Sequence, residues 1–283
     1  LEEVVTLNYP LIDPEIVSIG FISIRWYGLM YLMGFLVCYL LGGHRAGTHD
    51  SGWTKAQVYD MVFFGIVGTI VGGRVGFAIF YGLENLIADP IWLFKVWLGG
   101  MSFHGGLIGV IVALLLFARK TEKSFFDVTD FVAPLVPLGL GFGRIGNFIN
   151  AELPGRMTES SVGVYFPCEA VIGLTATCIG AWEQVTRHIS SLYQAFGEGI
   201  ILFVLIWLFS RRQRKIGVVS GMFLMGYGVI RLFTEQFRQP DPGLDFIAFG
   251  WLTMGQLLSL PMVILGFLLT IPSTNKLIRG IRK

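Results

Sequence analysis

The sequence predicts an all-α polytopic membrane protein with about seven transmembrane helices, and three observations carry that reading. Hydrophobic types make up 54% of the 283 residues, Asp, Glu, Lys and Arg together only 14%, and mean hydropathy is +0.68. Adding the 37 glycines to the apolar types takes the total far beyond the ~45–50% of a soluble domain counted the same way. The apolar residues are also gathered into runs of the length that crosses a hydrocarbon core, about 20 residues in a helix. Such a composition excludes an ordinary water-soluble enzyme and a disordered chain, and a net charge of +2 leaves no basic surface for nucleic acid.

The runs lie at 22–41, 57–81, 101–118, 126–149, 192–210, 217–238 and 251–271. Between the second and third, IADPIWLFKVW is too short to span. With two Trp, one Lys and one Pro it makes 82–100 an expected interfacial arm. The mixed stretch 150–191 is expected to form an extramembrane head between the fourth and fifth spans of a single membrane domain, 1–283. Residues 1–20 hold no Lys or Arg and carry Glu2, Glu3, Asp13 and Glu15, so no cleavable signal peptide is expected ahead of the first span. Segments 42–55, 119–124, 211–216 and 272–283 hold 13 Lys and Arg, against 4 in the alternate set. The N-terminus is therefore expected outside and the C-terminus in the cytoplasm.

Four arginines, Arg25, Arg74, Arg144 and Arg231, fall within the apolar runs. A charge at mid-membrane costs at least ~2.5–3.5 kcal/mol on insertion scales, so each calls for a partner or a task. A helical rise of ~1.5 Å per residue puts Arg74, Arg144 and Arg231 in the outer half of their spans. Arg25, Tyr27, His104 and Glu198 come near the outer ends of spans running the other way, and Glu235 near the outer end of its own. Polar groups from several spans thus converge on the outer leaflet. Asp60, Asp127 and Asp130 instead fall near cytoplasmic helix starts, where carboxylates favour the helix dipole. For Arg25, snorkelling to the interface explains the charge as well as a site does.

Tyr227, Arg231 and Glu235 recur at four-residue steps, on one helical face; Arg231 and Glu235 either serve a site or neutralise each other. Arg144 and Asn147 share a face in GLGFGRIGNFINAELPGR, with Asn150 and Glu152 just beyond. Arginine forks match phosphate oxygens bidentately, which suggests recognition of an anionic head group. GFGRIG at 141–146 satisfies a dinucleotide fingerprint but lacks the strand that motif requires. Gly68, Gly72 and Gly76, like Gly105 and Gly109, have the spacing that lets helices approach closely. Cys38 lies mid-span among apolar residues; Cys168 and Cys178 share the expected head, either as a disulfide or as two thiols. His104, among glycines in GGMSFHGG, is either an interfacial hydrogen-bonding residue or the group best suited to take a proton near neutral pH.

The motifs WYGLMY at 26–31, SGWT at 51–54, GGRVG at 72–76, GGMSFHGGLIG at 99–109, GRIGNFINAELPGR at 143–156, GYGVIR and FRQPD within 226–241, and MGQLLS at 254–259 resemble the prolipoprotein diacylglyceryl transferase family. The resemblance implies a multi-pass enzyme of the bacterial inner membrane whose site faces the periplasm or outer leaflet. It implies transfer of the diacylglyceryl group of phosphatidylglycerol to the lipobox cysteine of a prolipoprotein signal peptide, with membrane lipids as surroundings and no cofactor, metal or nucleic acid. Carried onto this chain, the family's positions are Tyr27, His104, Arg144, Asn147, Glu152, Gly155, Tyr227, Arg231 and Glu235. Of these, His104, Arg144, Arg231, Glu235 and Glu152 are expected to act in catalysis. Tyr27, Arg74, Asn147, Gly155 and Tyr227, with the two arginines, are expected to bind substrate. Where the family commonly reads R-H-P-S-Q-L-Y-E, this chain has Arg187-His188-Ile189-Ser190-Ser191-Leu192-Tyr193-Gln194; Glu198 follows one turn on. The competing class is a transporter or flippase for an anionic lipid, which predicts internal repeats and midplane sites.

Overall fold

The computed structural model describes residues 7–20, 22–48, 51–174, 177–240 and 246–271. The basic C-terminal segment 272–283 and Asp241 lie outside the described residues. Two compact units emerge: Phe35–Val132, and a larger unit built from residues up to Gly34 and from Ala133 on. Helix α1 (Trp26–Ala46) contributes to both.

In the smaller unit, α2 (Lys55–Phe80) starts at Thr54, whose hydroxyl accepts from the Gln57 amide while the Gln57 side chain accepts from the Thr54 amide. This reciprocal capping satisfies donors that the first turn leaves orphaned. Helices α3 (Leu83–Ala88), α4 (Phe103–Lys120) and α5 (Phe125–Val132) complete the unit. The expected glycine contact is where α2 meets α4. A Cβ on Gly68 would stand 2.6 Å from the Gly109 carbonyl oxygen, and one on Gly76 2.6 Å from the Gly105 Cα. No other residue fits so close an approach. Between α3 and α4 the chain makes two short 3-10 turns, Pro90–Phe94 and Val96–Leu98. Asp89 caps the first and pairs with Lys95 at 2.8 Å, while Ile87, Ile91, Phe94, Trp97 and Leu98 are exposed.

In the larger unit, β1 (Leu7–Asn8) is followed by a hairpin of β2 (Glu15–Ile19) and β3 (Ile22–Arg25). The first apolar run therefore becomes helical only at Trp26. Arg25 ends a strand, exposed and paired with Glu15 at 3.0 Å, so its charge needs no membrane partner. The run 126–149 is also interrupted: α5 stops at Val132 and α6 (Val136–Ile149) starts afresh. Pro134 supplies no amide to the ladder and disfavours helix in the residue before it, while Pro137 suits the new first turn. Beyond α6, β4 (Val164–Pro167), β5 (Cys178–Ile179) and β6 (Trp182–Arg187) join β1 in a four-stranded sheet of order β1-β4-β6-β5. Tyr9, Val164, Phe166 and Val171 form its core, and the Tyr9 hydroxyl donates to the Phe148 carbonyl at the end of α6. Cys168 and Cys178 are joined in a disulfide.

A single apolar run then passes from α7 (Ser190–Gln194) through a π-helical segment, Ala195–Ile201, into α8 (Leu202–Phe209). Helix α9 (Val218–Thr234) continues as a 3-10 turn, Glu235–Phe237, and α10 (Met254–Thr270) closes the described fold.

Among the described residues, five helical stretches are long and apolar enough to cross a membrane: Trp26–Ala46, Lys55–Phe80, Phe103–Lys120, Ser190–Phe209 and Val218–Phe237. Counting α5 and α6 as one broken span makes six. Helix α10, with 17 residues, rises about 26 Å, short of the ~30 Å core. The all-α membrane class holds, with small sheets outside the helices, but the seven-helix count is not reached by length. Leu32, Phe63, Leu107, Val229 and Leu258 are exposed on these helices, a surface suited to hydrocarbon rather than water.

Candidate active site

The larger unit gathers charge from three helical elements. Arg144 comes from α6, Glu198 from the π-helical segment, and Arg231 from α9, with Glu235 one turn further on. The elements can meet because Gly141 and Gly199 face each other: a Cβ on Gly199 would stand 2.8 Å from the Gly141 Cα. This is the use of the GFGRIG glycines that the structure shows at Gly141, helix contact rather than nucleotide binding. A π-turn carries an extra residue per turn and recurs at functional sites; here it holds Glu198 toward both neighbouring arginines.

The charges form a chain. Arg144 Nε lies 3.2 Å from Glu198 Oε2, and Arg231 Nη1 lies 3.2 Å from Glu198 Oε1. Arg231 Nη2 lies 2.8 Å from Glu235 Oε2, an ion pair rather than an aligned hydrogen bond. Thr234 donates to Glu198 Oε1 at 3.4 Å and Thr253 to Glu235 Oε1 at 3.1 Å. Two cations and two anions balance, which is what allows Glu198, Arg231 and Glu235 to be buried. Arg144 differs: its side chain is 20% exposed, and among the described residues its only ion pair uses Nε. The Tyr227 side chain is a hydrogen-bonding neighbour of the same guanidinium, which otherwise keeps part of its surface accessible.

Tyr227 has Glu198, Arg231 and Arg144 as its charged neighbours. Tyr27 faces Glu152 and Arg144 and stacks edge-on to Tyr31 at 5.3 Å. Gly146 makes room for it, since a Cβ there would lie 2.7 Å from the Tyr27 ring. Asn147, buried, donates to Glu152 Oε2 at 2.7 Å, and Asn150 donates to Glu152 Oε1 at 3.1 Å. Tyr27, Arg144, Asn147, Glu152, Tyr227, Arg231 and Glu235 therefore belong to one neighbourhood, as their depth in the sequence suggests.

Gly155 is occupied otherwise. Its amide donates to the His188 carbonyl at 3.1 Å and its carbonyl accepts from Arg187 at 3.2 Å. A side chain would collide with His188, so the glycine serves close packing of two segments. Arg187 is itself locked by a buried two-pronged pair with Glu183, both contacts at 2.7 Å. His188 has Nδ1 3.2 Å from the Tyr193 hydroxyl, and burial holds its pKa below the usual histidine value.

His104 and Arg74 belong to the smaller unit. His104 lies exposed in the first turn of α4, behind the Ser102 cap, with its ring edge-on to Phe103 at 5.7 Å. Arg74 is 3% exposed and its guanidinium donates to the carbonyls of Trp92, Leu93, Lys95, Gly99 and Gly100 at 2.5 to 3.3 Å. It also lies 4.4 Å from the centre of the Trp92 ring. All three of its nitrogens are engaged, so its fork is turned to the main chain of 92–100.

Sequence reasoning places Glu198 near the outer end of its span without giving it a role, and omits Thr234 and Thr253. The available signal for Glu198 was a carboxylate alone in an apolar run, between Gly197 and Gly199.

The family model described as prolipoprotein diacylglyceryl transferase matches residues 14–272. A phosphatidylglycerol–prolipoprotein diacylglyceryl transferase of Chromohalobacter salexigens is 50% identical over 95% of this chain and 96% of its own length. Relatives of the same name from Coxiella burnetii and Vibrio campbellii are 52% and 49% identical, over 92% and 94% of this chain and 95% and 92% of theirs.

Proposed function

The chain belongs to the prolipoprotein diacylglyceryl transferase family, and from that premise we propose that it moves the diacylglyceryl group of phosphatidylglycerol onto the lipobox cysteine of prolipoproteins. In this reaction the cysteine thiol loses its proton to a base. The sulfur then forms a bond to the glycerol carbon that carries the phosphate ester as the carbon–oxygen bond breaks, and glycerol phosphate departs with the electron pair. The thiolate is the competent nucleophile, and the charge gathering on the leaving phosphate has to be held.

The part-exposed guanidinium of Arg144, beside Tyr227 and paired with Glu198 through Nε, carries this reading. Its Nε pair with Glu198 fixes the guanidinium plane, and its exposed part, with the Tyr227 hydroxyl beside it, suits phosphate oxygens. Arg231, held between two carboxylates, supports that plane from behind through Glu198. Tyr27, Tyr227 and Asn147 orient the head group. His104 is the first choice of base and Glu152, steadied by two amide donors, the second. Arg74 positions the arm 82–100, whose exposed Ile, Phe and Trp side chains suit a bilayer interface. Gly155 keeps the backbone path that presents Glu152.

We place the protein in the bacterial inner membrane, N-terminus outside, with residues 150–191 as a periplasmic head. The bacterial relatives and the Cys168–Cys178 bond, which suits an oxidising compartment, support this. Arg144→Lys keeps the charge and loses the fork. Transfer of label from phosphatidylglycerol to a lipobox peptide is expected to fall about 10- to 100-fold. Unchanged transfer would overturn the role given to Arg144.

A further inference from the structure

A cavity of about 390 Å³ lies past the ends of the helices in the larger unit, and no step above uses it. Its floor is the chain leaving α6, including Asn150 and Glu152. One wall is the segment after Cys168, with Glu169, Ile172 and Leu174, and Gln239 closes the other side. We propose that this cavity receives the acceptor peptide, binding the residues that follow its reacting cysteine. The inference rests on the transferase reading and adds where the second substrate docks.

The lining selects the occupant by charge. Two carboxylates, Glu152 and Glu169, face the space, and among the described residues no Lys, Arg or His lines it. A phospholipid head group would meet two like charges and no cation, so the lipid donor does not belong there. Acceptors dominate the polar lining: the two carboxylates and the Asn150 Oδ1, which is buried and without a hydrogen-bond partner among the described residues, with the Gln239 amide offering both donor and acceptor. An occupant therefore has to bring donors, as peptide N–H groups do, together with small apolar surface for Ile172 and Leu174. The volume is at the lower end of the ~300–1,000 Å³ of ligand pockets, which suits a few residues of extended chain rather than two acyl tails.

Position argues the same way. The lining residues stand beyond Ile149 and beyond Phe237, where α6 and the 3-10 turn after α9 have ended. A peptide whose apolar part lies in the bilayer would bring its cysteine to the charge cluster and its following residues here. Glu152 joins the two places: it lines the cavity and accepts from Asn147 at 2.7 Å.

The test uses the full chain in phosphatidylglycerol-containing nanodiscs and acceptor peptides with either Lys or Asp in the two positions after the cysteine. The Lys peptide is expected to show a KM about fivefold lower, the scale of one partly exposed charge pair. Glu169→Lys is expected to reverse that order without moving the KM for phosphatidylglycerol. Peptides with serine at the cysteine position and a photoreactive group one residue later are expected to crosslink to residues 169–174. The inference falls if the peptide order ignores the charge at 169, if the variant shifts the lipid KM instead, or if the crosslinks map elsewhere while transfer proceeds. Absence of transfer by the unmodified chain would overturn the transferase reading instead, and the serine peptide reports docking independently of it.

Discussion

Arg74 and Arg231 are both buried, both follow glycine-rich helix surfaces, and both lie at a similar expected depth, yet their charges are balanced in opposite ways. Arg74 has no ion pair among the described contacts; five main-chain carbonyls and the Trp92 face surround it. Arg231 stands between Glu198 and Glu235. Carbonyl dipoles cannot move without moving the backbone, so the first arrangement fixes a loop. Carboxylates can be shared, so the second passes charge along a chain that ends at the part-exposed guanidinium of Arg144. A buried arginine is thus not a site by itself; what balances it decides its task.

Removing Glu198 should break this contrast most. Both Arg144 and Arg231 lose a partner, and an uncompensated buried charge costs about 3–5 kcal/mol. Glu198→Ala is expected to lower the unfolding midpoint in detergent clearly and to abolish measurable transfer. Retention of both would mean that the carboxylate holds neither arginine in place. Arg74→Lys comes next. An ammonium has three donors for five carbonyls and no planar fork, so 92–100 is expected to loosen by about 2 kcal/mol. Faster hydrogen exchange confined to 92–100 would report this, while Arg144→Lys should leave that exchange unchanged. Equal exchange in both variants would erase the distinction.

A smaller change sharpens the acidic end of the chain. A Cβ on Gly255 would stand 2.6 Å from Glu235 Oε1, so Gly255→Ala has to displace the carboxylate that Thr253 and Arg231 hold. A severalfold fall in transfer with a stability change near 1 kcal/mol is the expected result. Full activity would assign Glu235 to neutralisation alone, the alternative that four-residue spacing leaves open.

Much of this was legible in the residues. Apolar runs located most of the helices, and the glycine repeats marked the close-packing surfaces that turn out to meet between α2 and α4, because both follow from periodicity and size alone. Depth along a helix brought Arg144, Asn147, Arg231 and Glu235 to one end, because rise per residue is fixed. What could not be read was direction. Nothing local distinguishes an arginine that turns to carbonyls 18 to 26 residues away, as Arg74 does, from one that turns to a ligand. Nor does local pattern announce a π-turn, and without it Glu198 has no assigned face. The break at 133–135 was signalled by Pro134 and Pro137 but masked by the continuous apolar run around them.

His188 supplies the third way of handling charge beside this site, which is to avoid it. Its Nδ1 meets the Tyr193 hydroxyl and its ring stands edge-on to Phe237 at 5.1 Å, and among the described residues no ion pair with a carboxylate stabilises an imidazolium there. Burial accordingly lowers its pKa from the ordinary 6.5. The unfolded chain then binds the proton more readily than the folded one. Its contribution to stability is complete above about pH 6.5 and is lost as pH falls from there toward the lower folded pKa. The unfolding midpoint is expected to be level above pH 7 and to decline on the acid side, and His188→Phe should flatten the first part of that decline. The change should be the smallest of the four, since the ring is only partly buried. A decline that persists unaltered in His188→Phe would assign it to the carboxylates of the arginine chain, making acid sensitivity a property of matched charge rather than of charge avoided.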